Sequence, residues 1–393
     1  MRFSARRVSA DLVLSGLLLA ISLLPGPAFA APGQQCAQPG QSLAEVPWAQ
    51  RSLAPERVWP LATGAGITVA VIDSGVDSTA PQLAGRVDPG RDYLYGGPNA
   101  ADDCVGHGTG VASVIAAQAD PRTGFRGIAP GARVLPLRVS EQELVDGETQ
   151  GRSSAAGLVS AIRYAADSGA RVINLSLTTD DSPGLRAAVE YAAAKDVLLV
   201  AAVGNRETSG KPVPYPAAYD GVLGVGAVDS EGRRYPDSQT GPYVDLVAPG
   251  VAVTVAARGS GQATVNGTSF ATPFVAGAAA LVRQYHPGLS AAQVAQRLIA
   301  TADPAPGGRH SDAYGYGVVS PYRAVTDLTG VGTPRADAAV PPVSYPPDPP
   351  GRDRRQDVGV ALAAGGVVAA ATLAAVAAVL PRARRRGWRP GRS

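Results

Sequence analysis

Ile67-Thr68-Val69-Ala70-Val71-Ile72-Asp73-Ser74-Gly75 is an apolar run that ends on a carboxylate and a glycine turn. Further runs at Arg133 to Val139, Val172 to Leu177, Val197 to Ala202 and Val222 to Val228 have the continuous apolar character of strands buried on both faces of a parallel sheet. Alanine-rich helical stretches follow at Ser154 to Asp167, Gly184 to Lys195 and Ser269 to Tyr285. Ser290 with Gln293 forms a capping-box pattern that opens one more helix, running to about Thr301. The alternation predicts an α/β fold with a doubly wound, mostly parallel sheet flanked by helices. In such sheets the working groups gather at the carboxyl ends of the strands, where Asp73 stands.

Two other glycine-flanked segments supply what a lone carboxylate lacks. Gly106-His107-Gly108-Thr109 places an imidazole just before a helix beginning near Gly108. Gly267-Thr268-Ser269-Phe270-Ala271-Thr272-Pro273 exposes a hydroxyl at the start of another helix. A serine hydroxyl is a weak nucleophile at neutral pH unless a base takes its proton and a buried acid holds that base in one tautomer. Asp73, His107 and Ser269, in that order, therefore read as the acid, base and nucleophile of acyl transfer. Ala201-Ala202-Val203-Gly204-Asn205 ends another strand, and the Asn205 side-chain amide, with the Ser269 N–H, is the candidate donor to the oxygen that turns negative in the tetrahedral intermediate. The competing role for Asn205 is that of a plain turn residue.

The termini predict where this chemistry occurs. Residues 1–30 combine Arg2, Arg6 and Arg7 with an apolar run from Leu12 to Leu24 and Ala28-Phe29-Ala30, the pattern of a cleavable secretory signal. Residues 358–380 form an uncharged stretch long enough to span a bilayer as a helix. The tail 381–393 carries Arg382, Arg384, Arg385, Arg386, Arg389 and Arg392 with no acid, which predicts a cytoplasmic end and a catalytic domain outside the membrane. Between domain and span, residues 329–357 contain Pro341-Pro342, Pro346-Pro347 and Pro349-Pro350, a composition that behaves as a semi-rigid spacer. What remains is a short extension, 31–57, and one large domain, 58–328.

A net charge of +3, much of it in the terminal arginines, gives no reason to expect a nucleic-acid partner. Cys36 and Cys104, the two cysteines of an exported chain, read as one disulfide, with two free thiols as the alternative. Asp102 and Asp103 fall short of the ligand count of a calcium site, and the chemistry requires no catalytic metal and no cofactor. The loop from Ser140 to Ser153 carries Glu141, Glu143, Asp146 and Glu148 near the active rim, either to read basic substrate residues or simply as a solvated acidic loop. His286 and His310 lie far from the motifs and read as surface or loop residues.

The segments around Asp73, His107, Asn205 and Ser269 resemble those of the subtilisin-type serine peptidases over roughly residues 58 to 328. The whole arrangement of signal, cysteine-bearing extension, domain, proline-rich stalk and C-terminal span is similar to the mycosins, membrane-anchored peptidases of actinobacterial type VII secretion systems. That resemblance implies a protein or peptide substrate, a secretion-complex partner at the cell membrane, and an extension that braces the body rather than an inhibitory prodomain. It also implies that Leu175, Ser176 and Leu177 bind the substrate backbone. Thr178 and Thr179 follow, where subtilisins commonly carry glycines, which predicts a narrower cleft. Two other functions compete with the anchored endopeptidase: an exported protease of general turnover, and a secretion-complex scaffold whose catalysis is secondary.

Overall fold

The computed structural model describes residues 36–141, 143–145 and 148–328. The signal, linker, apolar 358–380 stretch and basic tail lie outside the described residues, among which no helix is long and apolar enough to cross a membrane. In chain order the strands are β1 (Thr68–Asp73), β2 (Arg91–Asp92), β3 (Arg133–Arg138), β4 (Glu143–Val145), β5 (Glu148–Gln150), β6 (Val172–Leu175), β7 (Leu198–Ala202), β8 (Val222–Val228), β9 (Leu246–Pro249), β10 (Val253–Ala256) and β11 (Gln262–Val265). The α-helices are α1 (Trp48–Leu53), α2 (His107–Ala116), α3 (Ala155–Asp167), α4 (Pro183–Ala194), α5 (Thr268–Tyr285), α6 (Ala291–Ala300) and α7 (Pro321–Thr326).

The main sheet has the order β2-β3-β1-β6-β7-β8-β9, and its pairings are parallel. Side chains alternate between its faces: Val69 and Val71 of β1 join the core beneath α2 and α5, while Ala70 and Ile72 join the core beneath α3 and α4. Burial on both faces explains why these strands read as unbroken apolar runs. From β1 the chain builds outward through β3 on one side and through β6 on the other. The crevice beyond the carboxyl ends of β1 and β6 is therefore a topological switch point, where α/β sheets bind ligands.

The helix boundaries follow local capping. Ser154 accepts from Gly157 N, Ser182 accepts from Leu185 N, and Ser290 and Gln293 make both arms of the capping box. His107 begins α2 instead of preceding it, and Gly106 ahead of it takes φ +84°, which favours glycine.

The extension is part of the body. Cys36 is bonded to Cys104, Ala37 N donates to Cys104 O at 2.8 Å, and Gln41 bridges Gln262 beside β11. Trp48 Nε1 donates to Ala252 O at 2.9 Å, while Ala49 and Leu53 of α1 are buried in the same core as α2 and α5. The bridge closes a loop of 68 residues, for which chain entropy gives a stabilisation of about 4 kcal/mol. Cys36→Ser should accordingly lower the thermal midpoint measured by calorimetry, and an unchanged midpoint would show that the bridge contributes nothing.

Candidate active site

Asp73, His107, Asn205 and Ser269 line one cleft of about 410 Å³, together with Ser176, Leu177 and Thr178. Each reaches it for a structural reason. Asp73 is the last residue of β1, His107 the first of α2, and Ser269 stands in the first turn of α5 after Gly267, whose φ of +134° makes the turn. Asn205 follows the end of β7. The close approach of α2 to β1 depends on Gly108, since a Cβ there would lie 2.1 Å from the Gly75 carbonyl oxygen.

His107 Nδ1 meets Asp73 Oδ1 at 2.7 Å, which leaves Nε2 to face a reacting group. The Asp73 carboxyl is buried and also accepts from Ser74 N at 2.8 Å. Among the described residues the Ser269 hydroxyl makes no hydrogen bond to His107. Such contacts are often loose without substrate and tighten in the complex. Asn205 Oδ1 accepts from Thr268 N at 2.9 Å, so its Oδ1 is occupied and its Nδ2 remains a donor on an exposed side chain. That bond fixes the amide orientation, as an oxyanion donor requires.

Asp103 is almost fully buried and is the structural partner that the motifs did not disclose. Its carboxylate accepts from Ser74 Oγ at 2.9 Å, Gly106 N at 2.9 Å, Thr109 N at 2.8 Å and Thr109 Oγ1 at 2.7 Å. Ser74 Oγ in turn accepts from Gly108 N at 2.9 Å. Asp103 thus caps the start of α2 and ties it to the residue after Asp73. Burial pushes its carboxyl above the ordinary range against these hydrogen bonds, and the Asp73 charge adds to the rise. For His107, burial favours the neutral ring, but the Asp73 charge and hydrogen bond, with the Asp103 charge, outweigh it and hold the imidazole above its ordinary 6.5.

Other candidate residues are placed as follows. The Leu175 side chain is buried in the core at the end of β6, which leaves the substrate-backbone role expected of it untouched, and Ser176 and Leu177 line the cleft. Ser176 Oγ donates to the Ser269 carbonyl at 2.6 Å and accepts from Asn174 Nδ2 at 2.9 Å. Asp102 pairs with Arg138 at 3.0 Å, and Asp103 spends its oxygens on backbone and hydroxyl groups. Glu141 is neither a solvated acid nor a free reader of basic residues: it is buried and accepts from Tyr95 Oη at 2.6 Å, with Arg138 at 3.7 Å. His286 Nε2 lies 2.9 Å from the Val325 carbonyl oxygen and ties α5 to α7. No group of three or more His, Cys, Asp or Glu gathers as metal ligands among the described residues.

The chain matches the Subtilase family profile (Peptidase S8) over residues 64–317. It is 35% identical to Mycosin-1 of Mycobacterium tuberculosis over 388 residues, covering 86% of each chain. Subtilisin BL of Lederbergia lenta is 40% identical over 259 residues, 65% of this chain and 91% of that one. Among solved structures, that of "a serine protease MycP1, an essential component of the type VII (ESX-1) secretion system" superposes with a TM-score of 0.65 at 35% identity, covering 75% of this chain and 93% of that one.

The raised basicity of His107 sets a pH dependence. Only the neutral ring accepts a proton, so peptide hydrolysis should climb along a limb centred above pH 6.5. Asp103→Asn should move the midpoint of that limb to lower pH, and a wild-type limb centred at or below 6.5 would show that the two carboxylates do not raise the basicity of His107.

Proposed function

The chain belongs to the subtilase family of serine peptidases, and from that premise we propose that it is a mycosin-type endopeptidase using Asp73, His107 and Ser269. The observation that carries this reading is the 2.7 Å contact between Asp73 and His107 in the same cleft as Ser269 and the oriented Asn205 amide. Ser269 Oγ attacks the carbonyl carbon of the scissile amide while its proton passes to His107 Nε2. The carbonyl electron pair moves onto oxygen, where the Asn205 Nδ2–H and the Ser269 N–H receive the charge. Collapse expels the amine, which takes its proton from His107, and leaves an acyl-enzyme. Water then gives a proton to His107, attacks the ester and releases the acid, returning the proton to Ser269. Asp73 stays ionised throughout and holds the imidazole in one tautomer.

The partner follows from the relatives and from the ends of the chain. A protein similar to Mycosin-1 and to MycP1, with a predicted signal at 1–30 and a predicted span at 358–380, acts at the outer face of the cell membrane beside a type VII secretion complex. The division into an extension 31–57, a domain 58–328, a linker 329–357 and a tail 381–393 belongs to this same reading.

Ser269→Ala should leave a folded protein with turnover reduced about 10⁶-fold, and Asn205→Ala should cost about 10²- to 10³-fold with little change in KM; both magnitudes are carried over from a subtilisin. Near-normal turnover in Ser269→Ala would remove the nucleophile assignment, and an unchanged kcat in Asn205→Ala would return that residue to the role of a turn former.

For the partner, exported proteins are quantified by mass spectrometry in the source organism. Deletion of the whole protein and truncation before Val358 should each abolish type VII export, whereas Ser269→Ala should alter only the processing of one or a few exported proteins. Normal export in the deletion strain would favour general protein turnover, and equal loss in every strain would make catalysis the essential contribution.

A further inference from the structure

One polar side chain interrupts the apolar run of β6. Asn174 lies between Val71 of β1 and Val200 of β7, and its side chain is fully buried. Its Oδ1 has no hydrogen-bond partner among the described residues, so half of a buried amide goes unsatisfied. The other half is used: Nδ2 donates to Ser176 Oγ at 2.9 Å, and Ser176 Oγ donates to the Ser269 carbonyl oxygen at 2.6 Å. The directions are forced. A carbonyl only accepts, so the Ser176 proton points to Ser269, and the second partner of that hydroxyl must be a donor, which an amide supplies through nitrogen alone. The Ser269 carbonyl in turn lacks its usual partner. In an α-helix it would accept the N–H four residues on, and in α5 that residue is Pro273, which has none.

We propose that Asn174 is a positioning residue for the nucleophile, acting through the Ser176 hydroxyl on the carbonyl that Pro273 leaves without its helical donor. The inference rests on the reading of Ser269 as the nucleophile. Ahead of Ser269, Thr268 N is held by Asn205 Oδ1 from the segment leaving β7, at 2.9 Å. Behind its Cα, the Ser269 carbonyl is held by Ser176 from the segment leaving β6. The backbone on both sides of the nucleophile is therefore tied to the sheet. Without the second tie the carbonyl would turn to find another donor and carry the Ser269 backbone with it, and a small displacement of a reacting atom is costly to the rate. The tie depends on Asn174, because its Nδ2 occupies the Ser176 oxygen and leaves the hydroxyl proton to Ser269. Leucine at 174 would fill similar space with no unsatisfied oxygen, so the strand itself gains nothing from the amide.

The test measures kcat, KM and the thermal midpoint of the whole chain carrying Asn174→Leu or Ser176→Ala, each with and without Pro273→Ala. Active sites are counted in every protein with a fluorophosphonate, so that kcat refers to competent nucleophile. Asn174→Leu should lower kcat by about tenfold, keep KM within about twofold and leave the midpoint no lower than in the wild type. Ser176→Ala should lose as much. Pro273→Ala returns an N–H to the Ser269 carbonyl, so in that background each loss should shrink to about twofold or less. A kcat kept in Asn174→Leu, or the same fold loss with and without Pro273, would overturn the role. Fewer labelled sites and a lower midpoint with normal kcat per site would make Asn174 a packing residue and overturn it equally. Should Asn174→Leu fail to fold, the Ser176→Ala pair decides by the same ratio. Wild-type protein that no fluorophosphonate labels would overturn the nucleophile itself, a failure distinct from that of the positioning residue.

Discussion

The site depends on one buried carboxylate that takes no part in bond making. Asp73 arrives at the end of a strand and His107 at the start of a helix, and nothing in either element alone fixes the distance between them. Asp103 does so by holding Ser74 Oγ with one oxygen and the Thr109 N–H and hydroxyl with the other, while Ser74 Oγ receives Gly108 N. From the opposite side Arg138 Nε donates to the Ser74 carbonyl at 3.0 Å, and its other nitrogens hold Asp92 and Asp102. A carboxylate this deep is costly to bury, and its four hydrogen bonds are the condition on which it stays there. The return is preorganisation: the Asp73 carboxyl and the His107 ring are held in contact by the fold itself.

The extension enters this arrangement through Cys104, next in sequence to Asp103. From Cys36 onward the chain lies against β10 and β11 and adds α1 to the hydrophobic core. Ala37 and Gln38 of the extension also line the wall of an opening beside His107. Composition gave no hint of that wall. Ala37 and Gln38 carry no chemistry of their own, and only the fold shows what they face.

The parallel strands were legible because burial on both faces leaves an apolar run with sharp ends, and Val222–Val228 has its expected bounds. Residue classes with one-sided or edge burial were not. β2 is two residues long, and β11 shows a mixed burial pattern, so neither carries a periodic signal. Asp73, His107 and Ser269 could be picked out because glycines flank them, and Asn205 because it follows a strand. Asp103 had a weaker mark, an aspartate placed six residues before Thr109 and near a helix start, which competes with a surface-loop or cation-ligand reading. Leu175, the last residue of a buried strand, belongs to the core by side chain, while the substrate-backbone role expected of it does not depend on where that side chain lies.

Thr178 shows how a small departure is accommodated. Its Cγ2 would lie 3.3 Å from a Cβ on Gly204, and Gln239 Oε1 would lie 2.6 Å from the same atom. Gly204, at φ +87°, leaves the space that the threonine methyl uses. The extra side chain therefore stands over the crevice between the segments leaving β6 and β7, where glycine would leave it open. On the other side of His107 the extension closes in from Ala37 and Gln38. Both departures lie in the walls beside His107 and leave the Asp73–His107 contact unaltered. Walls raised on either side of a cleft act through clashes as well as through contacts, so a side chain added there changes which shapes fit without touching the polar groups between them.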